Sequence, residues 1–509
     1  MQNFSKLQHK SNKKKAIIIG SGFGGLAIAI RLQALGFQTE IFEKNEMIGG
    51  HASQIKKEGF TFDMGPSIVT IPFTIQELFG LNGEDMNDYL QMSSLDPLYR
   101  IYFHDKSYID YTGNADQMKA QISKFNEKDA KNYDKFMKLS SSIYKIVIED
   151  GLGSKPFSSL WDFLKFAPRA IKLKAVLPGY FLVSRYFKDF RTRFLFSFHP
   201  LFIGGNPFTT PSIFLMLPYL EKLGGVWYAT GGMYKIIEEL GKLYTRMGGK
   251  IHLNSEVTEI LIENGCAIGV KVHNEEMLSD IVVSNSHFAN TYMDLIPETK
   301  RQKWPNKKIL NKQYSMSCFL IYLGISERYD KFKHHTLILS ERYKELVTDL
   351  FDKTVLPDDF SMYIHTPSKT DETMAPAGCD SVYILIPTPN LNADVNWDKY
   401  KDTYAKKIID FLESDFGLKD LSKNVKVKEI FTPLDFQRKR NNFLGAPWSL
   451  QPSLFQIASF RPHNKSEDIN GLYLVGASTH PGGGVPGVLL GAKATEAVIA
   501  KDFGLFFIK

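Results

Sequence analysis

The sequence predicts an α/β protein, with a Rossmann-like βαβ unit joined to a second lobe of mixed sheet and helices. Three observations carry this. "KKAIIIGSGFGGLAIAIRLQALGFQTEIFEKN" has a strand-turn-helix-strand pattern around a GxGxxG turn. "VGASTHPGGGVPGVLLGAKATEAVI", from Val475 to Ile499, is a second glycine-rich turn between an apolar "LYLV" run and a helix-like one. "SCFLIYLGI" and "SVYILIPTPN" have the apolar character and length of buried strands.

In the first unit, Ala16–Ile19 forms a short, largely β-branched strand. Gly20 permits a tight turn, Gly22 lets the backbone approach a pyrophosphate, and Gly25 lets the helix pack on the strand; Phe23 and an extra Gly24 complete the loop. Leu26, Ala27, Ile30, Ala34 and Leu35 recur at helical spacing, and Gly36 ends the helix. "FQTEIFEK" is the second strand, with Glu43 at its end, 23 residues after Gly20. A carboxylate there accepts hydrogen bonds from ribose hydroxyls and repels a 2′-phosphate. Together these features predict a dinucleotide site. Lys44 follows, then Gly49, Gly50 and His51 in "EKNEMIGGHAS", then Gly65, Pro66 and Ser67 in "GFTFDMGPSIVT". A nicotinamide enzyme needs neither run. The longer FAD must be gripped along its length, so the cofactor reading tilts to FAD.

Length and composition set the frame. The chain has 509 residues, 43% of them hydrophobic, enough for two or more lobes with a sizeable core. Cys266, Cys318 and Cys379 form no CxxC pair, so neither a zinc site nor a disulfide framework is expected and a reducing, cytosolic setting fits. No run approaches about 18 apolar residues, so no transmembrane helix is expected. The basic start reads as a tail before the first strand, not a signal peptide. The net charge of +7 is concentrated in 155–199, which holds nine Lys or Arg, two Asp and twelve aromatic residues. Such a mix suits helical pieces lying on anionic lipid, or a lobe whose aromatics line a core or tunnel. A nucleic-acid partner is discounted, since no nucleic-acid motif accompanies the charges.

From "IGSGFGGLAIAIRL", "GFTFDMGPS", "FSFHPLFIGGNPFTTPSI", "GVWYATGGM", "SMSCFLIYLGI", "HHTLILSERYKEL", "FTPLDF", "LQPSLFQIASFRPHN" and "LYLVGASTHPGGGVPGV", the chain resembles the bacterial-type phytoene desaturases. These are FAD-dependent carotenoid desaturases related to amine-oxidase-like flavoproteins, and the similarity covers nearly the whole chain. It implies an amine-oxidase-like FAD-binding domain built from 13–85, 225–300 and 465–509, and a substrate lobe from 86–224 and 301–464. It implies that Val257 meets the adenine through its backbone. It also implies that the turn with Gly476, Pro481, Gly482, Gly483, Gly484, Val485 and Pro486 grips the isoalloxazine ring. One departure stands out: relatives carry Arg where this chain has His51, which is shorter and only partly charged near neutral pH.

The resemblance implies an oxidoreductase acting on CH–CH groups, converting phytoene stepwise to a lycopene-type polyene by hydride transfer to flavin. The partners implied are an apolar polyene and the membrane surface, with cytoplasmic, peripheral placement; a homo-oligomer is compatible with it. A desaturase of the shorter diapophytoene skeleton, a related carotene oxidase or isomerase, and a flavin-free lipid-binding protein on the same fold remain alternatives. No catalytic base stands out. Glu149 and Asp150 read mainly as surface carboxylates, and Arg461 and His463 in "FRPHN" as structural. No cluster suggests a metal.

Overall fold

A computed structural model describes residues 13–156, 161 and 168–505. Parts of the basic segment expected at 155–199, namely 157–160 and 162–167, lie outside the described residues, as does the N-terminal tail to residue 12.

The predicted strand, helix and strand form as Lys15–Ile19, Phe23–Ala34 and Gln38–Phe42. They seed a five-stranded, all-parallel sheet in the order Leu472–Leu474, Ile281–Ser284, Lys15–Ile19, Gln38–Phe42, Lys250–His252. Successive side chains of a strand face opposite ways. Ala16 and Ile18 therefore join the core under the helices Phe23–Ala34, Met233–Arg246 and Val485–Asp502. Ile17 and Ile19 join the core on the other face, against the antiparallel strands Val257–Glu263 and Cys266–Val272. From sequence, Lys250–His252 opens the run "KIHLNSEVTEILIENGCAIGVKV", which reads as one β-meander. It instead pairs parallel to Gln38–Phe42 at the sheet edge, and the meander runs from Val257 to Leu278.

The other lobe centres on a seven-stranded mixed sheet in the order Val425–Phe431, Ser317–Ile325, Asp380–Thr388, Met362–His365, His335–Ile338, Tyr99–Tyr102, Tyr108–Tyr111. The two runs recognised as strands are its neighbouring central pair, Ser317–Ile325 and Asp380–Thr388. Every residue of Ser317–Ile325 is buried, because both faces are covered. Phe319, Ile321 and Leu323 pack with Ile408 and Leu412 of the helix Trp397–Ser414. Cys318, Leu320 and Tyr322 face the aromatic core that includes Phe136, Phe187 and Phe196.

At the carboxyl ends of the parallel strands, the Gly20–Gly25 turn meets Asn285 and Gly476. Gly20 has φ +88°. A Cβ on Gly25 would sit 2.0 Å from the Gly20 carbonyl oxygen, and one on Gly24 would sit 2.4 Å from Asn285 Oδ1. Two expectations follow for thermal denaturation. Gly25→Val should lower the melting temperature steeply or prevent folding, because backbone must move. Gly36→Ala, where no atom lies within 4 Å and only φ +91° is strained, should cost about 1–2 kcal/mol. Equal losses would show that the close approach is not what fixes the turn.

Candidate functional site

One cavity of about 480 Å³ runs between the lobes. Its volume lies in the range of roughly 300–1,000 Å³ usual for small-molecule sites. Of the predicted cofactor contacts, Gly20, Gly22, Phe23, Gly24, Glu43, Lys44, Gly49, Gly50, His51, Gly65, Pro66, Ser67, Val257, Gly476, Pro481, Gly483, Gly484, Val485 and Pro486 all line it. Gly25 and Gly482 do not line it. Gly25 is spent on helix–strand packing. Gly482 shapes the turn from behind: its carbonyl oxygen would lie 2.7 Å from a Cβ on Gly487, and its own Cβ would face the Arg461 guanidinium at 3.7 Å.

At the fingerprint end, Gly22 has φ −65° and ψ 177°, which any residue can adopt. A Cβ there would stand 3.0 Å from Asn285 Nδ2, on the cavity wall, so any larger residue crowds that amide. Glu43 is buried. Its Oε2 accepts from the Ser21 N–H (3.0 Å) and hydroxyl (2.7 Å), and its Oε1 from the Asn45 N–H (3.0 Å) and side-chain amide (2.6 Å). A carboxylate offers about four acceptor positions, and these four donors occupy them. Lys44 donates from Nζ to Asn441 Oδ1, and burial pulls its pKa below the usual lysine range.

His51 Nε2 lies 2.6 Å from Asn442 Oδ1. Burial pushes its pKa down to about 4, against the hydrogen bond to Asn442 and with the help of nearby Arg440. The sequence expectation of a partly charged His51 is corrected: in this environment the ring is neutral at pH 7. Arg440 and Asn442 also line the cavity, and nothing in the local sequence marked them.

The other end of the cavity is apolar, with Phe198, Phe202, Leu220, Leu337, Met362 and Trp448 on its wall. Glu149 and Asp150 are exposed and do not line it. Glu221 does line it; it is fully buried and accepts from the Tyr99 hydroxyl at 2.8 Å, with His199 Nε2 at 2.9 Å. Sequence reasoning missed this pair, because His199 and Glu221 are 22 residues apart and meet only through the fold. It also missed a cluster of three buried histidines. His335 and His365 face each other across paired strands, and with His334 they bring ligand-type atoms within 4.8 Å. Tyr363, on the cavity wall, bonds both Ser67 Oγ (2.6 Å) and His335 Nδ1 (2.7 Å), so the cluster touches the site.

The C-terminal turn ends at Gly484, φ +84°, which caps the helix Val485–Asp502. Pro486 occupies the first turn of this helix, where no N–H is needed. Behind the turn, fully buried Arg461 donates to the carbonyls of Gln456 (3.1 Å), Leu450 (3.3 Å) and Ala477 (2.6 Å), and burial pulls its pKa down to about 10. It fixes the turn by its backbone. His463 lies 3.2 Å from the Ser459 carbonyl, away from the wall.

Burial dominates the titration of this region. It pushes His51 and His480 down to about 4, and His287 and His334 down to about 3. Unfolded histidine titrates near about 6.5. With the folded value depressed, the unfolded state binds more protons, so this stability is complete above about 6.5 and is lost as pH falls toward 4. Asp63, raised to about 6 by burial while capping the helix at Met233, works the other way over part of the range. The melting temperature should fall between pH 7 and pH 5, and less so in His287→Asn. A flat profile in differential scanning fluorimetry would contradict this.

Comparison with known proteins adds ancestry. The flavin containing amine oxidoreductase family model matches residues 23–499. A phytoene desaturase (lycopene-forming) of Pseudescherichia vulneris is 39% identical, covering 96% of this chain and 99% of its own. A 4,4'-diapophytoene desaturase (4,4'-diapolycopene-forming) of Methylomonas is 33% identical, covering 98% of this chain and 97% of its own. Among solved structures, cyclohexylamine oxidase from Brevibacterium oxydans has the same fold at 13% identity and a TM-score of 0.60, covering 97% of this chain and all of its own. The chain is thus a member of the flavin containing amine oxidoreductase family.

Proposed function

We propose that this protein is an FAD-dependent carotenoid desaturase that converts phytoene stepwise to a lycopene-type polyene in carotenoid biosynthesis. The observation that carries this is the cavity itself, with glycine turns and Glu43 at one end and a wall of aromatic and aliphatic side chains at the other. The activity of relatives matching nearly end to end supports it. The site residues fit FAD. Gly22 and Gly50 leave backbone open to a pyrophosphate, Glu43 stands at the second strand's end, and Val257 lines the adenine side. Gly483, Gly484 and the N-terminus of Val485–Asp502 line the side where the ring belongs. The discontinuous division expected from the sequence, with 13–85, 225–300 and 465–509 as the flavin part, is proposed on the same grounds.

Bound FAD supplies hydride acceptance. The protein's share is shape and electrostatics. The apolar wall excludes water and aligns an uncharged chain that offers no polar handle. The first amides of Val485–Asp502, which no side chain caps among the described residues, and the positive dipole end of that helix favour negative charge on a ring seated there.

Around the basic segment, Ile171 is 64% exposed, Phe181 46% and Phe190 40%, and exposed Arg169, Lys172, Arg185 and Lys188 lie close by in sequence. Among the described residues no helix is long and apolar enough to cross a membrane. These features support peripheral docking on anionic lipid, from which an apolar substrate is drawn.

Co-expression with a phytoene synthase should give coloured, lycopene-type products on chromatography. Unchanged phytoene with conversion of diapophytoene would instead favour the shorter substrate, in keeping with the diapophytoene desaturases among the relatives. Gly22→Val should abolish the yellow flavin band of the purified protein. In sedimentation with anionic liposomes at low salt, Ile171→Ser/Phe181→Ser should leave most protein in the supernatant; parent protein that stays soluble would sink the docking proposal.

A further inference from the structure

Three basic residues close the helix Pro433–Arg440. Arg438 pairs with Asp398 at 3.1 Å and Lys439 with Asp435 at 2.9 Å, as expected of cations at a helix C-terminus. Arg440 behaves differently. It turns inward onto the cavity wall, and its Nη2 donates to Ser53 Oγ at 2.7 Å, with Met64 Sδ at 4.0 Å. Among the described residues it makes no ion pair. Burial lowers its pKa, with the Glu43 carboxylate acting in the opposite direction, and a guanidinium remains charged throughout. A part-buried cation held by one hydroxyl on a cavity wall is completed by an anion that enters the cavity. Most of its N–H donors are left for such a partner.

The surroundings narrow what that partner is. Arg440 acts on Glu43, Lys44 and His51, and the same cavity is lined by Gly22 and by Gly50, the residue before His51. His51 is occupied with Asn442, and Lys44 is tied to Asn441 and faces the charges of Glu43 and Glu256. A planar, forked donor beside glycine backbone suits an anion with several oxygens, above all a diphosphate. We propose that Arg440, rather than His51, supplies the cation that meets the diphosphate of the bound dinucleotide. This rests on the reading that the cavity holds FAD.

The test is binding, not turnover. Flavin-free, full-length protein is titrated with FAD by fluorescence quenching, and with ADP and adenosine as competitors. Arg440→Met should weaken FAD and ADP by about 10- to 100-fold, the loss of a charge-assisted hydrogen-bonding pair. Adenosine, which has no phosphate, should compete as before. Restoring a cation alongside, in His51→Arg/Arg440→Met, should recover much of the FAD affinity. If Arg440→Met melts early, Arg440→Gln, which can keep the Ser53 hydrogen bond, carries the same expectation. A variant that binds ADP as tightly as the parent overturns the role of Arg440 and leaves the desaturase reading standing. A parent that binds neither FAD nor ADP overturns both.

Discussion

The structure depends on how closely backbone can approach backbone at one corner. There the Gly20 carbonyl lies where a Cβ on Gly25 would be, and Asn285 and Gly476 close over Gly24. This contact sets the distance between the first helix and the central strand. It thereby aims the helix N-terminus into the cavity and brings the last strand, Leu472–Leu474, beside Ile281–Ser284. The glycine turn at Gly476–Gly487 then arrives opposite the first one. Both turns face a single space because the parallel strands end on the same side.

Much of this was legible in the sequence. The βαβ unit announces itself because each part has a local signature: a β-branched run, glycines at fixed spacing, a helical period, a terminal Glu43. The central strands Ser317–Ile325 and Asp380–Thr388 were visible because burial on both faces forces continuous apolar runs. What was not legible is what only tertiary contact creates. Asn285 sits under the first turn although it follows an ordinary strand. Arg440 shares its helix turn with two surface cations, and only its inward direction distinguishes it. Glu221 looks like any helix glutamate until Tyr99 and His199 enclose it. The misplacement of Lys250–His252 has the same origin, because an edge strand of three residues carries too little pattern to choose its sheet.

The two ends of the cavity use opposite physics. At the fingerprint end stand directed groups: glycine backbone, a carboxylate already satisfied by Ser21 and Asn45, and a guanidinium that among the described residues has no ion pair. At the far end affinity comes from undirected burial of carbon against carbon, which scales with area and tolerates sliding. A cofactor held by direction at one end stays fixed while an apolar chain held by area at the other shifts along its length. Stepwise conversion of a long, uniform chain needs that combination. The polar groups facing the apolar wall, Glu221 with His199 and Tyr363 with Ser67, are exceptions tightly tied to their neighbours.

The parallel sheet has a consequence in time. Its strands come from residues 15–19, 38–42, 250–252, 281–284 and 472–474, so pairing spans almost the whole chain. During synthesis the first turn emerges early, but the strand and helix that close the cavity emerge last. Until then, its apolar wall has no lid and Ile281–Ser284 lacks its outer neighbour. Such long-range closure is slow and leaves sticky surface exposed meanwhile. Binding in this cavity therefore waits on the segment from Leu472 to Asp502, and a nascent chain of this kind leans on whatever shields it until then.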